Sequence, residues 1–211
     1  MTIITRRGTA LLAAGFAALP TLSRRALAAP QVGQAAPDFA EPDQDGTVRR
    51  LSDLRGKIVV LEWTNHECPF VRKHYGSTNM QTLQRQAAEQ GVIWLSIASS
   101  PAGEQGFVTG EQARALTVQR NAAPAAVVLD PNSRISRAYH ATTTPHMFVI
   151  GPDGVLRYMG GIDSIRSTRI EDVARAEPFF RTAMEQVASG QAVSRPVTQP
   201  YGCVVKYAPQ A

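Results

Sequence analysis

The sequence has only two cysteines in 211 residues, so Cys68 has a single possible disulfide partner, Cys203. The two lie 135 positions apart, which excludes a C-x-x-x-C metal-binding pair. A disulfide between them would close most of the chain into one loop and could stabilise the fold by up to roughly 5 kcal/mol in the chain-entropy account. A permanent structural bridge is therefore one interpretation of this pair.

Long apolar runs are also absent. No segment reaches the roughly 20 apolar residues that a membrane-spanning helix requires. No internal repeat and no low-complexity block occurs in the sequence. At this length the chain is most simply one globular domain with extensions at its ends, long enough to bury a full core.

Acidic residues are missing from the first 28 positions, which hold Arg6, Arg7, Arg24 and Arg25. This imbalance accounts for most of the formal charge of +5 and of the pI near 9.6. In the remainder, 18 basic side chains face 17 acidic ones. A nearly neutral body gives no electrostatic reason to expect nucleic acid or a membrane surface as a partner.

The same first stretch has the order of parts of an export signal. The pair Arg6-Arg7 precedes a weakly apolar run at 9–19, and the small residues at 26 and 28 fit a signal peptidase site. The twin arginines favour the Tat route over Sec. An amphipathic first helix is the alternative. We expect residues 1–28 to be a signal peptide and the mature protein to be periplasmic or otherwise exported, where a disulfide can form and persist.

One stretch, residues 57–75 (KIVVLEWTNHECPFVRKHY), organises the rest of the chain. Its first part, 57–63, is apolar and β-branched at its centre, which is typical of a strand covered on both faces. Apolar residues recur at helical spacing over 69–90, with an interruption at Gly76, and 92–99 is a second buried strand. Strand, helix and strand form a βαβ unit, whose right-handed crossover makes the strands parallel.

The remaining pattern predicts further elements. An extended pair surrounds the turn Asp45-Gly46, and a polar loop follows the βαβ unit at 100–110. The later elements are a helix at 111–120, a strand at 125–129, a helix at 131–139 capped by Asp130, strands at 145–150 and 155–160, and a helix at 170–189 split by Pro178. The fold class is therefore α/β, with a central mixed sheet flanked by helices.

A cysteine at the junction of a buried strand and a helix has a distinctive setting. Cys68 would lie among the unpaired N–H groups of the first helical turn, whose dipoles favour the thiolate. Pro69 suits the first helical position, where a missing N–H costs nothing. Arg72 and Lys73 add positive charge one turn later, and Glu67 opposes it. We expect Cys68 to be an activated nucleophile.

This order of elements, with Thr144-Pro145 opening a strand and a hairpin after it, resembles the thioredoxin superfamily. The motifs at 36–39 (APDF) and 53–57 (DLRGK) are similar to its redoxin and peroxiredoxin branch, the alkyl hydroperoxide reductase/thiol-specific antioxidant proteins. The paired sequences NHECPFV at 65–71 and GCVVKY at 202–207 resemble a narrower group of redoxin-like proteins. The resemblance covers residues 32–207, and it implies a thioredoxin-like fold with thiol-based redox chemistry.

The sequence departs from two patterns of that superfamily. Three positions after Cys68, where a thioredoxin has its second cysteine, this chain has Val71. A typical peroxiredoxin has threonine or serine three positions before its cysteine and proline eight before; here these are Asn65 and Val60, although Thr64 is adjacent. We therefore expect a thiol-disulfide oxidoreductase, or at most a weak peroxiredoxin-like peroxidase.

The resemblance also implies roles for distant residues. The Thr144-Pro145 bond would be cis and face the thiol, so that the Thr144 backbone can pair with an extended substrate; an ordinary trans proline is the alternative. The residues themselves suggest the role of Cys203: it lies on a proline-rich tail able to move, and a reactive cysteine with a mobile second cysteine is a redox arrangement, so we expect Cys203 to be the resolving cysteine. The partner would be a redox partner thiol protein or a disulfide substrate, and no bound cofactor is required.

Side chains around the cysteine are supporting candidates. We expect Trp63 mainly to pack in the core, and His66 to tune or hydrogen-bond the thiol. Asn65 either donates to the thiolate or shapes the turn. Glu62, inside the buried strand, is either a buried proton acceptor or the mark of an edge strand, and we favour the edge strand.

A different functional class stays open: a non-catalytic periplasmic binding or copper-handling module with a structural Cys68–Cys203 disulfide. Soft or borderline ligands occur at His66, Cys68, His74, Met80, His140, His146 and Met147. Because only His66 and Cys68 are close in sequence, we predict no metal site. We expect the chain to divide into the signal peptide, a redoxin domain at 29–194 and a tail at 195–211 that carries the second cysteine.

Overall fold

The computed structural model describes residues 29–210, so the predicted signal peptide lies outside the described residues. The domain opens with a hairpin of strands β1 (Ala40–Pro42) and β2 (Val48–Arg50), on either side of the expected turn at Asp45-Gly46. Within the described residues, no helix combines the length and the apolar character that crossing a bilayer demands.

The predicted βαβ unit is present. Strand β3 (Val59–Thr64) leads into helix α1 (Pro69–Gly76), which is followed by α2 (Asn79–Glu89) and by strand β4 (Ile93–Ala98). The expected interruption separates α1 from α2. Strands β3 and β4 are parallel, which confirms the predicted pairing.

The later elements follow the predicted order. They are α3 (Gly110–Gln119), β5 (Ala126–Leu129), α4 (Arg134–Tyr139), β6 (Thr143–Thr144), β7 (His146–Ile150), β8 (Leu156–Gly160), α5 (Phe179–Ala188) and β9 (Cys203–Val204). The helix expected at 170–189 is α-helical only after Pro178, because the first part is a short 3-10 turn at 170–172.

Helix α4 begins three residues later than the sequence pattern indicated. Its N-cap residue is Ser133 and not the predicted Asp130. The Asp130 carboxylate nevertheless accepts hydrogen bonds from the backbone N–H groups of Ile135 (3.1 Å) and Ser136 (2.9 Å) in the first turn. These bonds satisfy two of the N–H groups that a helix start leaves unpaired.

The central sheet has five strands in the order β5-β4-β3-β7-β8. Strands β3, β4 and β5 are parallel, whereas β7 runs antiparallel to both β3 and β8. This is the mixed sheet expected from the sequence, and β3 lies at its centre. A separate two-stranded ladder joins β6 to β9.

Alternation along β3 divides the core between the two faces of the sheet. Val59, Leu61 and Trp63 lie on one face, where the Trp63 ring packs at 5.1 Å from the ring of Phe148. The opposite face holds a second buried cluster that includes Cys68. The indole N–H of Trp63 donates to the hydroxyl of Ser136 at 2.9 Å, so Trp63 packs in the core away from the thiol, as expected.

Candidate active site

Cys68 lies where the sequence placed it, between the carboxyl end of β3 and the start of α1. It is the N-cap residue of α1, and Pro69 occupies the first helical position. Its side chain has no exposed surface. The thiol donates a hydrogen bond to the backbone carbonyl of Thr144, with 3.1 Å between the sulfur and the oxygen.

The peptide bond that follows Thr144, Thr144–Pro145, is cis. The family resemblance implied this bond, and the structure contains it. The backbone of Thr144 faces the thiol through its carbonyl and also faces whatever chain lies along β6.

That chain is the protein's own C-terminal segment. Cys203 pairs antiparallel with Thr144, and Val204 with Thr143. The next residue continues the pairing, since the Val205 N–H donates to the Thr142 carbonyl at 3.0 Å. The edge that a thioredoxin-like protein was expected to offer to a substrate is thus occupied by residues 203–205.

The same pairing brings the two cysteines together, and both are free thiols in this structure. Burial raises the pKa of Cys68, but hydrogen bonds from the side chains of Cys203 and Thr144 and from the backbone N–H groups of Val71 and Cys203 outweigh it and leave the pKa below its usual value. Burial, together with the contact to Cys68, raises the pKa of Cys203. Cys68 is therefore the stronger candidate for thiolate and nucleophile.

A buried polar cluster holds the segment two residues before Cys203. The hydroxyl of Tyr201 accepts a hydrogen bond from Lys73 Nζ at 2.9 Å and donates to the carboxylate of Asp163. Nε2 of His74 lies 3.2 Å from the same hydroxyl. Lys73 also pairs with Asp163 at 3.4 Å. Because Lys73 and His74 belong to α1, this cluster ties the tail to the helix that carries Cys68.

A second anchor lies on the other side of Cys203. The hydroxyl of Tyr207 donates to the backbone carbonyls of Ser136 (2.9 Å) and Ala141 (2.7 Å), and its ring lies under the guanidinium of Arg137. The sequence had led us to expect a tail able to move. In the structure that tail is docked at both ends, with only Val204 largely exposed between them.

One sequence expectation about α1 needs correction, and a choice left open for the turn before it is decided. Lys73 does not charge the surroundings of the thiol: it is 1% exposed and is engaged by Asp163 and Tyr201. Of the two roles left open for Asn65, the structure shows the turn-shaping one, because its side-chain oxygen accepts the Glu67 N–H at 2.9 Å. Helical periodicity had not indicated that the lysine would turn inwards.

His66 contributes to the site differently from what was expected. Its backbone carbonyl accepts hydrogen bonds from Arg72 (3.1 Å) and Arg120 (3.0 Å). Among residues 29–210, no hydrogen bond joins its ring to Cys68. The ring lines the cavities beside the turn instead.

Glu62 is a buried carboxylate, so the favoured interpretation of an edge strand is wrong. It lies on the central strand β3 with no exposed surface. Its oxygens accept hydrogen bonds from Tyr75 (2.9 Å), Trp94 (2.9 Å) and Ser96 (2.8 Å). Burial raises the pKa of Glu62 despite these donors.

The histidines considered as metal ligands have other partners in the structure. Among the residues that the structure describes, no group of three His, Cys, Asp or Glu side chains is arranged to hold a metal ion. His74 is engaged by Tyr201 and Asn79, and His146 packs on the ring of Phe148 at 4.4 Å. Burial lowers the pKa of His146 to about 4.

Sequence reasoning missed the cluster around Tyr201 altogether. One signal was available: tyrosines occur two residues before and four residues after Cys203, in a tail otherwise rich in proline. Nothing local to Asp163 indicated that it would meet Lys73, since the two are 90 positions apart.

Solved structures show what this fold is similar to. A hypothetical protein from Sinorhizobium meliloti 1021 shares 22% identity at a TM-score of 0.71, over 87% of this chain and 98% of its own. An uncharacterized conserved protein from Geobacillus kaustophilus shares 24% at 0.72, over 86% and 94%. A provisionally named thiol:disulfide interchange protein DsbE from Chlorobium tepidum shares 24% at 0.51, over 62% and 85%. At these identities the likeness is one of fold, and it confirms the expected thioredoxin-like fold.

Comparison with curated proteins gives no match. A family-level match does exist: the profile of the AhpC/TSA family matches residues 32–159. This stretch begins before β1, includes Cys68 and Pro145, and ends in β8. This is well over half of the chain, and it is the branch that the APDF and DLRGK motifs resemble. The chain belongs to the AhpC/TSA family.

Proposed function

We propose that this protein is an exported thiol-disulfide oxidoreductase in which Cys68 is the nucleophile and Cys203 the resolving cysteine. One observation carries the proposal: the fold brings two cysteines 135 positions apart into contact, and their pKa values are shifted in opposite directions. Opposite pKa shifts fit a pair in which one cysteine attacks as a thiolate while the other stays a thiol until the second exchange step. The AhpC/TSA family and the DsbE-named neighbour agree with this class of chemistry.

The proposed reaction has two exchange steps. The Cys68 thiolate attacks one sulfur of a substrate disulfide; the S–S bond breaks, and the other substrate sulfur leaves as a thiolate. Cys203 loses its proton and attacks the Cys68 sulfur of the mixed disulfide, which releases the second substrate thiol and forms the Cys68–Cys203 disulfide. The substrate gains two electrons. A partner dithiol returns the protein to its reduced form, and the same steps in reverse would oxidise a dithiol.

A peroxide could enter the same cycle with lower efficiency. The Cys68 thiolate would attack a peroxide oxygen, release water or an alcohol and become a sulfenic acid, which Cys203 would condense to a disulfide with loss of water. The residue three positions before Cys68 is Asn65, which is committed to the turn, so it does not take the place of the peroxidase threonine. We therefore propose disulfide exchange as the main activity and peroxide reduction as a weak one.

A substrate can reach Cys68 only if the C-terminal segment moves away from it. Cys68 is fully buried in the docked form, and residues 203–205 lie along the edge formed by Thr143 and Thr144. Lifting this segment would expose the thiol and free the backbone of Thr144 for pairing with an extended substrate. Its return would bring Cys203 back to the mixed disulfide.

A redox titration of the full protein separates this function from a structural bridge. A catalytic pair should equilibrate with glutathione or dithiol buffers at a midpoint between roughly −270 and −120 mV, whereas structural disulfides resist reduction down to roughly −300 mV or lower. A midpoint at roughly −300 mV or more negative would overturn the catalytic role and favour the non-catalytic binding module.

A single-turnover experiment tests the two cysteine roles. Reduced wild-type protein mixed with a peptide disulfide, without other thiols, should release both peptide halves and form its internal disulfide. Cys203→Ser should stop with one half bound to Cys68, which intact-mass spectrometry detects. Val204→Ser is the matched control, because it changes the exposed neighbour and keeps the thiol. Release of both halves by Cys203→Ser would refute the resolving role.

The exported location and the division at residues 28 and 194 are part of the proposal. Replacing Arg6 and Arg7 together by lysine should block export if the Tat route is used, since that route reads the twin arginines, and should leave Sec export nearly unchanged. Cell fractionation and the N-terminal sequence of the exported form measure the outcome. An exported form that retains residues 1–28 would contradict the signal peptide.

A further inference from the structure

A second concave site lies beside the turn that precedes Cys68, and Cys68 does not line it. It is a small cavity that opens to solvent. Apolar side chains from β4, β5, α3 and the segments flanking α3 form most of its wall, among them Ala98, Val108, Leu116, Ala122 and Val127. An apolar wall with a few polar groups is typical of a small-molecule site.

Arg120, the residue that follows α3, supplies the charge in this wall. Its guanidinium lies 4.6 Å from the centre of the Tyr75 ring and donates to the His66 carbonyl at 3.0 Å. Among residues 29–210, no carboxylate lies within 4 Å of it. Burial lowers the pKa of Arg120, which is the cost of keeping this cation partly desolvated.

Neither of the neighbouring acidic side chains, Glu62 and Glu67, serves as an ion-pair partner of Arg120. Glu62 contributes some attraction to Arg120, but its oxygens are already taken by Trp94, Ser96 and Tyr75. Glu67, on the adjacent turn, accepts the backbone N–H of Gly106. A guanidinium has five N–H donors, so Arg120 keeps several without a protein acceptor.

A second polar group in the same wall is also unpaired. The hydroxyl oxygen of Thr64 is buried and has no hydrogen-bond partner among the described residues. Buried polar atoms are nearly always hydrogen-bonded in folded proteins. An unpartnered hydroxyl and a cation without a carboxylate within 4 Å therefore line one cavity, and each gives an independent indication of a ligand.

We propose that this cavity binds a small organic carboxylate whose apolar body fits the cavity and whose carboxylate pairs with Arg120. The fork of a guanidinium matches a carboxylate in two parallel hydrogen bonds. The apolar wall favours a ligand with a hydrocarbon body over a bare inorganic anion. Arg72 and Arg120 together line the broader groove outside the cavity, so anions are attracted to its mouth.

Calorimetric titration of the full protein with hexanoate, 1-hexanol and inorganic phosphate tests this site. Hexanoate should bind, 1-hexanol should bind at least about tenfold more weakly, and phosphate should not compete, because neither offers charge and hydrocarbon together. Equal binding of hexanoate and 1-hexanol, or displacement of hexanoate by phosphate, would overturn the proposal.

Variants locate the binding. Arg120→Gln should weaken hexanoate binding by about tenfold or more, the loss expected for a charge-assisted hydrogen bond. Arg114→Gln is the matched control, because this arginine lies on α3 and pairs with Asp45 at 3.2 Å. Ala122→Leu should also abolish hexanoate binding, because the larger side chain fills space in the cavity without changing the guanidinium. This variant tests the site if Arg120→Gln fails to fold. Unchanged binding by Ala122→Leu would refute the site.

Discussion

The hydroxyl of Tyr201 is one oxygen atom on which the docking of the tail depends. Tyr201→Phe removes that oxygen and leaves the ring, which packs edge to face on Phe70 at 5.7 Å. Lys73 and Asp163 would still pair with each other at 3.4 Å, but each would lose its bond to the tail. The substitution therefore weakens docking without emptying the core.

The magnitude follows from the kind of hydrogen bond that is lost. Bonds to charged groups contribute about 1.5 to 3 kcal/mol each to stability. Because the lysine and the aspartate keep each other, we take one such contribution as the loss for the variant. A free-energy change of that size corresponds to about a 10- to 100-fold rise in the undocked fraction of the tail.

The alkylation rate of Cys68 measures this fraction. In a Cys203→Ser background Cys68 is the only thiol, and a buried thiol reacts with iodoacetamide only when the tail lifts. Tyr201→Phe should therefore accelerate alkylation about 10- to 100-fold.

Tyr139→Phe is the matched control for these measurements. Its hydroxyl is likewise bonded, to the Pro37 carbonyl at 2.7 Å, but it belongs to α4 and not to the tail. This variant should lose stability and leave the alkylation rate of Cys68 near that of the parent. Equal acceleration by Tyr139→Phe and Tyr201→Phe, or none by Tyr201→Phe, would refute the role of Tyr201 in holding the tail.

Three further predictions concern the same face of the sheet. Gly202→Ala should accelerate alkylation of Cys68 beyond Tyr201→Phe, because Gly202 has φ +142° and an added Cβ would overlap the Thr144 carbonyl oxygen. Cys203→Ala should raise the pKa of Cys68, since the Cys203 side chain contributes most to its lowering; thiolate absorbance against pH measures this. Glu62→Gln should flatten the pH dependence of stability. Burial raises the pKa of Glu62 above the ordinary 4.5, so the folded state binds this proton more tightly than the unfolded chain. The free energy of unfolding in the parent should then fall as pH rises above about 4.5, as urea titrations would show.

Each of these predictions has a result that would contradict it. Slow alkylation of Gly202→Ala would mean that the tail keeps its pairing despite the clash. A Cys68 pKa unchanged by Cys203→Ala would mean that the contact with Cys203 does not lower the pKa of Cys68. Parallel stability curves for the parent and Glu62→Gln would mean that the carboxyl does not titrate differently in the folded and unfolded states.

The sequence predicted most elements correctly because the relevant signals are short-range. The apolar run before Cys68, the break near Gly76 and the turn before Val155 depend on neighbours within a few residues. The late start of α4 is an error of the same local kind, since the Asp130 carboxylate bonds to the first turn from further upstream than the pattern showed. The family resemblance supplied the cis bond before Pro145, which the local sequence could not.

The errors concern groups whose environment comes from distant parts of the chain. Glu62 interrupts an apolar strand, and only the position of β3 at the centre of the sheet shows that Trp94 and Ser96 satisfy its carboxylate. Lys73 looked like a surface cation on α1, yet Asp163 and Tyr201 hold it inside. Partners that lie far apart in the sequence cannot be predicted from the spacing of residues along the chain.

The sequence by itself determined that Cys68 opens a helix after a buried strand, because apolar patterning and Pro69 act over a few residues. Only the tertiary structure decided that Cys203 meets it, that the tail fills the edge at Thr144, and that Tyr201 anchors the tail. Contacts between residues 135 positions apart depend on the path of the whole chain, which local interactions do not fix.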